Sequence, residues 1–160
     1  MRCFVYGSNL DSDRTRRQRG IVAFAVPDLG LSFKGGLVGT QSECEYMALL
    51  TFLRFAELNP RVFASARLEV LTDAAALVYQ VCGKAPQTPL AAKFLPTVRH
   101  YQQKLPFCVN WVPTSENAAL SGLHDLPPLS CAPPLDAQFA EPRELRRKPG
   151  HSARRHPFFL

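Results

Sequence analysis

The chain has 160 residues, and its 19 Lys and Arg residues exceed its 13 Asp and Glu residues to give a net charge of +6. This length predicts one domain with an appended tail, and the hydrophobic content of 46% is ordinary for a globular core. No apolar run reaches the roughly 18 residues that a membrane span needs, and the N-terminus lacks a secretory signal pattern, so we expect a cytoplasmic protein.

The first 40 residues predict three consecutive β-strands. Residues 2–8 alternate and are rich in aromatic and β-branched side chains, which is typical of a strand. A polar loop follows, and residues 20–26 and 31–38 predict two more strands on either side of the turn signal Pro27-Asp28-Leu29-Gly30. Because no helix separates these strands, we expect them to pair as an antiparallel set.

A long helix is predicted after the third strand. Ser42 is the expected N-cap, and Glu45, three residues later, completes a capping-box pattern. Tyr46, Leu49 and the leucines that follow recur at helical spacing. The helix is expected to stop where Asn59 precedes a proline.

The remaining elements alternate between strands and helices. Residues 67–71 and 107–112 predict strands, residues 74–81 a short helix and residues 90–104 a longer one. A last helix is predicted to begin at Thr114 or Ser115 and to include Ala118, Ala119 and Leu123. We therefore expect a domain over residues 1–125 and a Pro-rich, basic C-terminal tail over residues 126–160.

The order of these elements predicts the fold class. A strand–helix–strand connection usually joins parallel neighbours, so the later strands should add in parallel to the first set. The expected architecture is an α/β domain with a five-stranded mixed sheet, three antiparallel strands and then two parallel ones, flanked by helices.

Four short motifs, spread in order over residues 2–124, resemble those of the ribonuclease H family. They are Tyr6-Gly7-Ser8 at the end of the first strand, Thr40-Gln41-Ser42-Glu43-Cys44-Glu45-Tyr46-Met47-Ala48-Leu49 at the helix entry, Thr72-Asp73-Ala74 after the fourth strand, and Trp111-Val112-Pro113 followed by Asn117-Ala118-Ala119-Leu120-Ser121. The resemblance implies a ribonuclease H-like fold and a site for cleaving the RNA strand of RNA–DNA hybrids.

The chemistry of that family needs four carboxylates that hold two divalent cations about 4 Å apart. The resemblance places Glu45 and Asp73 at two of these ligand positions. The other two carry Tyr6, a neutral phenol, and Ser121, a neutral hydroxyl. Two unit charges about 4 Å apart interact by roughly 4 kcal/mol at an effective dielectric near 20, so losing two anions predicts that Mg²⁺ or Mn²⁺ binds weakly if at all.

Other acids near these positions are candidate replacements for the missing ligands. Asp125 lies one helical turn beyond Ser121 and is a candidate displaced acid, whereas Asp11 and Asp13 follow the first strand in a loop. Glu45 and Asp73 also have a purely structural interpretation, as a capping-box partner and a helix N-cap. The five cysteines contain no C-x-x-C pair, which favours reduced, buried thiols over a zinc site or a disulfide.

The positive charge favours a polyanionic partner such as nucleic acid. The expected contacts to phosphate and 2′-hydroxyl groups are Gly7, Ser8, Asn9, Arg16, Arg17, Gln41 and Ser42. Trp111 is expected to be a core aromatic residue rather than a base-stacking platform. Three functions follow as hypotheses: a catalytically impaired domain that binds an RNA–DNA hybrid or duplex, an active metal-dependent hybrid endonuclease with displaced ligands, and a protein-interaction module that uses the C-terminal tail.

Overall fold

The computed structural model describes residues 1–10 and 13–121. Within them, five strands form one sheet in the order β3-β2-β1-β4-β5. The strands are β1 (Arg2–Asn9), β2 (Gln18–Val26), β3 (Leu31–Gly39), β4 (Leu68–Thr72) and β5 (Phe107–Trp111). The pairs β1–β2 and β2–β3 are antiparallel, whereas β1–β4 and β4–β5 are parallel, which confirms the predicted mixed sheet.

The helices of the described region follow the expected order. They are α1 (Gln41–Leu58), the short α2 (Pro60–Phe63), α3 (Ala75–Val81) and α4 (Pro89–Lys104). The prediction missed α2, which begins with a proline directly after the end of α1. No helix of the described region is long and apolar enough to cross a bilayer.

The start of α1 differs from the prediction. Thr40 is the N-cap, its hydroxyl oxygen accepts a hydrogen bond from the Glu43 N–H, and the Glu43 carboxylate accepts one from the Thr40 N–H at 2.8 Å. The capping box predicted for Ser42 and Glu45 was therefore wrong. The Ser/Thr-x-x-Glu pattern occurs twice in this segment, two residues out of step, and the end of β3 at Gly39 selects the first copy.

One apolar cluster joins α1, α3 and α4 to one face of the sheet. The first turns of α1 lie directly on β1, and Gly7 permits this close approach. A Cβ atom on Gly7 would lie 2.2 Å from the carbonyl oxygen of Cys44, which no side chain can accommodate. The absence of a side chain at Gly7 thus sets how closely the acidic end of α1 approaches the end of β1.

The opposite face of the sheet carries a smaller apolar cluster. It consists of Ala23, Ala25 and Ala119, with Phe4 and Tyr6 packed against them. The last predicted helix was wrong over the described residues, where two 3-10 turns, Thr114–Glu116 and Ala118–Leu120, take its place. Asn117 separates these turns because its side chain caps the second one.

Candidate functional site

A polar cleft of about 210 Å³ opens where the carboxyl ends of β1 and β4 meet the N-terminus of α1. Ligand sites of open α/β sheets are commonly found at this edge. The lining residues are Tyr6, Gly7, Ser8, Arg14, Gln41, Glu45, Asp73, Ala74 and Thr114. The structure thus brings Tyr6, Glu45 and Asp73, three of the positions singled out by the ribonuclease H resemblance, to one place.

The Glu45 carboxylate is partly shielded from solvent and shares the cleft with a second acid. Its Oε1 accepts a hydrogen bond from Gln41 Nε2 at 2.8 Å. Burial raises the pKa of Glu45, and the negative charge of Asp73 raises it further, against the lowering effects of the Gln41 hydrogen bond and the Arg14 charge. The two carboxylates therefore interact electrostatically. Glu45 has no capping role, since Glu43 holds that position.

Gln41 ties the end of β1 to the start of α1. Its amide nitrogen also donates to the Gly7 carbonyl at 2.9 Å. Its amide oxygen accepts hydrogen bonds from the Asn9 N–H at 3.1 Å and from the Ser8 hydroxyl at 3.3 Å. Both ends of this side chain are thus used within the protein, and Gln41 holds the Glu45 side chain in place.

Asp73 is held by uncharged donors. The Thr114 hydroxyl donates to its Oδ2 at 2.9 Å, and Asn117 Nδ2 donates to its Oδ1 at 3.0 Å. The same Asn117 nitrogen donates to the Val5 carbonyl at 3.0 Å, so this buried amide links the ends of β1 and β4. The alternative role of Asp73 as a helix N-cap was wrong, because the N-cap of α3 is Ala74 and has no side-chain hydrogen bond.

The two substituted positions differ in their placement. Tyr6 lines the cleft, where the resemblance implies a carboxylate, and also packs on the small apolar cluster of the opposite face. Ser121 is exposed and is not among the lining residues. Arg14 lines the cleft, although its sequence position indicated only a basic loop. Its placement follows from the docking of that loop on α1, where the Gln41 N–H donates to the Arg14 carbonyl.

The other predicted contact residues are used unequally by the fold. Arg17 Nε pairs with Glu43 Oε2 at 3.3 Å, and Asn9 is buried with its amide donating to the carbonyls of Asp13 and Arg16. Arg16 is exposed and makes only a surface ion pair with Asp13, and Ser42 is also exposed. Arg16 and Ser42 are therefore open to a ligand, whereas Asn9 is closed off.

Comparison with solved structures yields similar folds at low sequence identity. The N-terminal RNase H domain of Rv2228c from Mycobacterium tuberculosis, solved as a fusion with maltose-binding protein, matches at a TM-score of 0.60 and 17% identity over 73% of this chain and 84% of that one. RNase H1 from the halophilic archaeon Halobacterium salinarum matches at a TM-score of 0.60 and 19% identity, over 76% of this chain and 92% of that one. LC11-RNase H1 in complex with an RNA/DNA hybrid matches at a TM-score of 0.60 and 16% identity, over 73% of this chain and 88% of that one.

The chain has a ribonuclease H-like fold. No protein-family model matches its sequence, and no curated protein does either. The structural matches cover most of the length of those domains while sharing under a fifth of their residues, so they establish the fold alone. The expected architecture is thereby confirmed.

The donor set of this RNase H-like cleft does not fit a pair of divalent cations. Among residues 1–10 and 13–121, no three His, Cys, Asp or Glu side chains come together as a metal site. Glu45 and Asp73 are the acids that line the cleft, and each oxygen of Asp73 already accepts a hydrogen bond. Asp13, weighed as a replacement ligand, instead binds Thr15 and Arg16 in the exposed loop.

Asp11, Asp125 and the predicted tail over residues 126–160 lie outside the described residues. Their assignment as a displaced ligand or as a partner-binding segment stays a prediction.

Proposed function

We propose that this chain is a nucleic-acid-binding domain of ribonuclease H-like fold with impaired catalysis, acting in the cytoplasm. The observation that carries the proposal is the composition of the cleft: two carboxylates, a tyrosine at a third ligand position, and an arginine among the lining residues. Among residues 1–10 and 13–121, this cleft therefore has fewer carboxylates than the four that the chemistry requires.

The impairment follows from charge balance. Two dications bring four positive charges, and Glu45 and Asp73 return two negative ones. Burial and the negative charge of Asp73 already raise the pKa of Glu45, so the Glu45 carboxylate is costly to keep ionised without a nearby cation. Arg14 supplies a positive charge near Glu45 within the chain itself. This charge lowers the pKa of Glu45 and so opposes the effects of burial and of Asp73.

Binding to nucleic acid requires none of these metals. A related structure, LC11-RNase H1, was solved in complex with an RNA/DNA hybrid. In this chain Arg14 lines the cleft, and Arg16 and Arg19 are exposed in the same segment. Together with the net charge of +6, these side chains suit the phosphate backbone of a hybrid or duplex.

A cleavage assay tests the catalytic part of the proposal. The purified full chain is incubated with a labelled RNA–DNA hybrid in Mg²⁺ and then in Mn²⁺, and we expect no metal-dependent cutting. The variant Tyr6→Asp, which adds a third carboxylate to the lining of the cleft, is expected to gain metal-dependent cleavage. Adding Glu45→Gln to that variant is the matched control and should abolish the gain.

An active endonuclease with displaced ligands is the second candidate, favoured by the presence of Glu45 and Asp73 in one cleft. Metal-dependent cutting by the unmodified chain that disappears in both Glu45→Gln and Asp73→Asn would establish it and refute impairment. Cutting that persists unchanged in both variants would point to a contaminating nuclease, which a second purification removes.

A binding assay tests the nucleic-acid part separately. The affinity for a labelled hybrid should fall steeply with salt, and Arg16→Ala/Arg19→Ala should weaken binding and reduce the salt slope by up to about two. Arg61→Ala is the control for loss of one positive charge, because Arg61 is exposed in α2, beyond the end of α1 that is remote from the cleft. Salt-independent or absent binding would refute this function and favour the interaction module.

A further inference from the structure

The ring of Trp111 is exposed beside the cleft. Trp111 ends β5, and 54% of its surface is accessible, so the expectation of a core aromatic residue was wrong. Its indole N–H donates to the Asp73 backbone carbonyl at 3.2 Å. An exposed tryptophan whose polar edge is anchored on a strand end presents a large apolar surface in a defined orientation.

The anchor places this ring at the Asp73 end of the cleft. Trp111 pairs with Thr72 in the parallel register of β4 and β5, one residue before Asp73. Thr114, three residues after Trp111, lines the cleft and donates to the Asp73 carboxylate. Asp73 therefore lies between the two: its backbone carbonyl binds the Trp111 indole, and Asp73 also lines the cleft.

The charges of the cleft determine which part of a nucleic acid can approach the surface formed by Asp73 and Trp111. Without bound cations, the carboxylates of Glu45 and Asp73 repel phosphate groups. Of the arginines that attract phosphate, Arg14 lines the cleft and acts on Glu45, whereas Arg16 and Arg19 lie in the exposed segment before and at the start of β2. A nucleobase is uncharged and has a flat face, so it suits the Asp73 end of the cleft and the Trp111 ring better than a phosphate does.

We propose that Trp111 is a stacking platform for an unpaired nucleobase, so that the ligand of this domain includes a single-stranded segment of RNA or DNA. The inference rests on the proposed nucleic-acid-binding function and goes beyond it by naming the ligand's form. A base must leave its own stack to lie on an aromatic side chain, which a blunt, fully paired duplex resists.

The chain offers a direct probe, because Trp111 is its single tryptophan. Intrinsic fluorescence of the full chain is followed during titration with a short single-stranded oligonucleotide and with a blunt RNA–DNA hybrid. Binding is measured independently by anisotropy of end-labelled copies. We expect the single strand to quench the fluorescence and the blunt hybrid to quench it much less at equal occupancy.

Two variants separate the ring from its hydrogen bond. Trp111→Ala should weaken single-strand binding roughly tenfold, in line with the usual contribution of one stacked base, whereas Trp111→Phe keeps a ring and should retain most of the affinity. Thermal unfolding shows whether each variant is folded. Arg61→Ala again serves as the control variant with an unaltered cleft.

The outcomes distinguish this inference from the function on which it rests. Single-strand binding without quenching, or with equal affinities for the unmodified chain and Trp111→Ala, overturns the stacking platform and leaves nucleic-acid binding intact. A folded Trp111→Phe that binds as weakly as Trp111→Ala also overturns it, since the ring would not be the contact. No anisotropy change with any nucleic acid refutes the proposed function and, with it, the platform.

Discussion

The cap of α1 and the cleft beside it each contain a glutamate, and the two residues lie two positions apart in the same helix. In the cap, Glu43 is buried and accepts a hydrogen bond from the Thr40 N–H while pairing with Arg17. In the cleft, Glu45 accepts a hydrogen bond from the neutral Gln41, and its pKa is raised. Neighbouring residues of one type thus have different partners: Glu43 has an arginine and a backbone N–H, whereas Glu45 has an uncharged amide and a second carboxylate in the same cleft.

This difference separates a stabilising acid from a costly one. A carboxylate that accepts a backbone N–H at a helix N-terminus and pairs with an arginine contributes hydrogen bonds that stabilise the end of the helix. A carboxylate that is partly desolvated beside another carboxylate is disfavoured in that form. Groups with perturbed pKa values are often found at functional sites, so the raised pKa of Glu45 supports the proposal that the cleft, rather than the cap, is the functional region.

The largest expected effect comes from breaking both regions at once with Gly7→Ala. The new Cβ would meet the Cys44 carbonyl at 2.2 Å and push α1 away from β1. We expect a loss of about 3 kcal/mol or more of unfolding free energy, measured by urea denaturation. Gly35→Ala is the control, because its Cβ would meet side-chain atoms of Phe33 and Val22 and no backbone atom within this distance. Equal costs for the two variants would contradict the close approach described here.

The next largest effect should come from the cap alone. Glu43→Ala removes the capping box and the partner of Arg17, and we expect it to cost about 1–2 kcal/mol of unfolding free energy. Ser42→Ala is the matched control, since Ser42 is exposed and lacks the capping role that the sequence predicted for it. A larger cost for Ser42→Ala than for Glu43→Ala would reverse the assignment of the cap.

In the cleft, Glu45→Gln should have the opposite sign and stabilise the protein at neutral pH. Gln keeps an amide oxygen for Gln41 and removes the charge that burial and Asp73 disfavour. A gain of about 1 kcal/mol would raise the Tm by roughly 2–4 °C in a chain of this size. Thermal unfolding measures the shift, and destabilisation by Glu45→Gln would show that the carboxylate is not strained.

The same residue predicts a pH dependence. The folded state keeps the Glu45 proton above the ordinary pKa of 4.5, so between that value and the raised pKa it binds more protons than the unfolded state. This contribution to stability is therefore present at low pH and is lost as the pH rises through that window. Unfolding of Glu45→Gln, measured over the same range, should lack this decline; an identical decline in both proteins would assign it to another group.

The smallest effects should separate two adjacent arginines. Arg16→Ala removes an exposed surface ion pair and should change the unfolding free energy by less than about 0.5 kcal/mol. Arg17→Ala removes a partner of the buried Glu43 and should cost more. Urea denaturation of both variants tests the ranking, which sharpens the distinction between an arginine that supports the cap and one that is open to a ligand.

Much of the fold could be predicted from local patterns. The sequence shows the alternation in β1 and the apolar repeat of α1, and such patterns predicted the observed sheet. It also shows the acids at the start of α1 and the end of β4. The cap was misplaced because two overlapping Ser/Thr-x-x-Glu patterns are locally equivalent. Only the distant contact of Arg17 with Glu43 and the end of β3 distinguish them.

The missed site residues share a physical cause. Asn117 has no distinctive sequence pattern as a link between strands, and its bond to the Val5 carbonyl spans 112 residues of chain. Trp111 is a large aromatic residue of the kind often found in a core, yet it is exposed and lies outside the apolar cluster. Such roles depend on what surrounds a side chain in three dimensions, which periodicity does not encode.

The sequence by itself determined the order of the elements and the positions of Glu45, Asp73, Tyr6 and Ser121 along them, because helix and strand patterns are properties of near neighbours. The tertiary structure alone decided that Glu43 caps the helix, that Glu45 lies in the cleft, that neutral donors hold Asp73 and that Trp111 is exposed beside it. These outcomes depend on burial, charge and hydrogen bonding between segments far apart in the chain, which come together only when the sheet has formed.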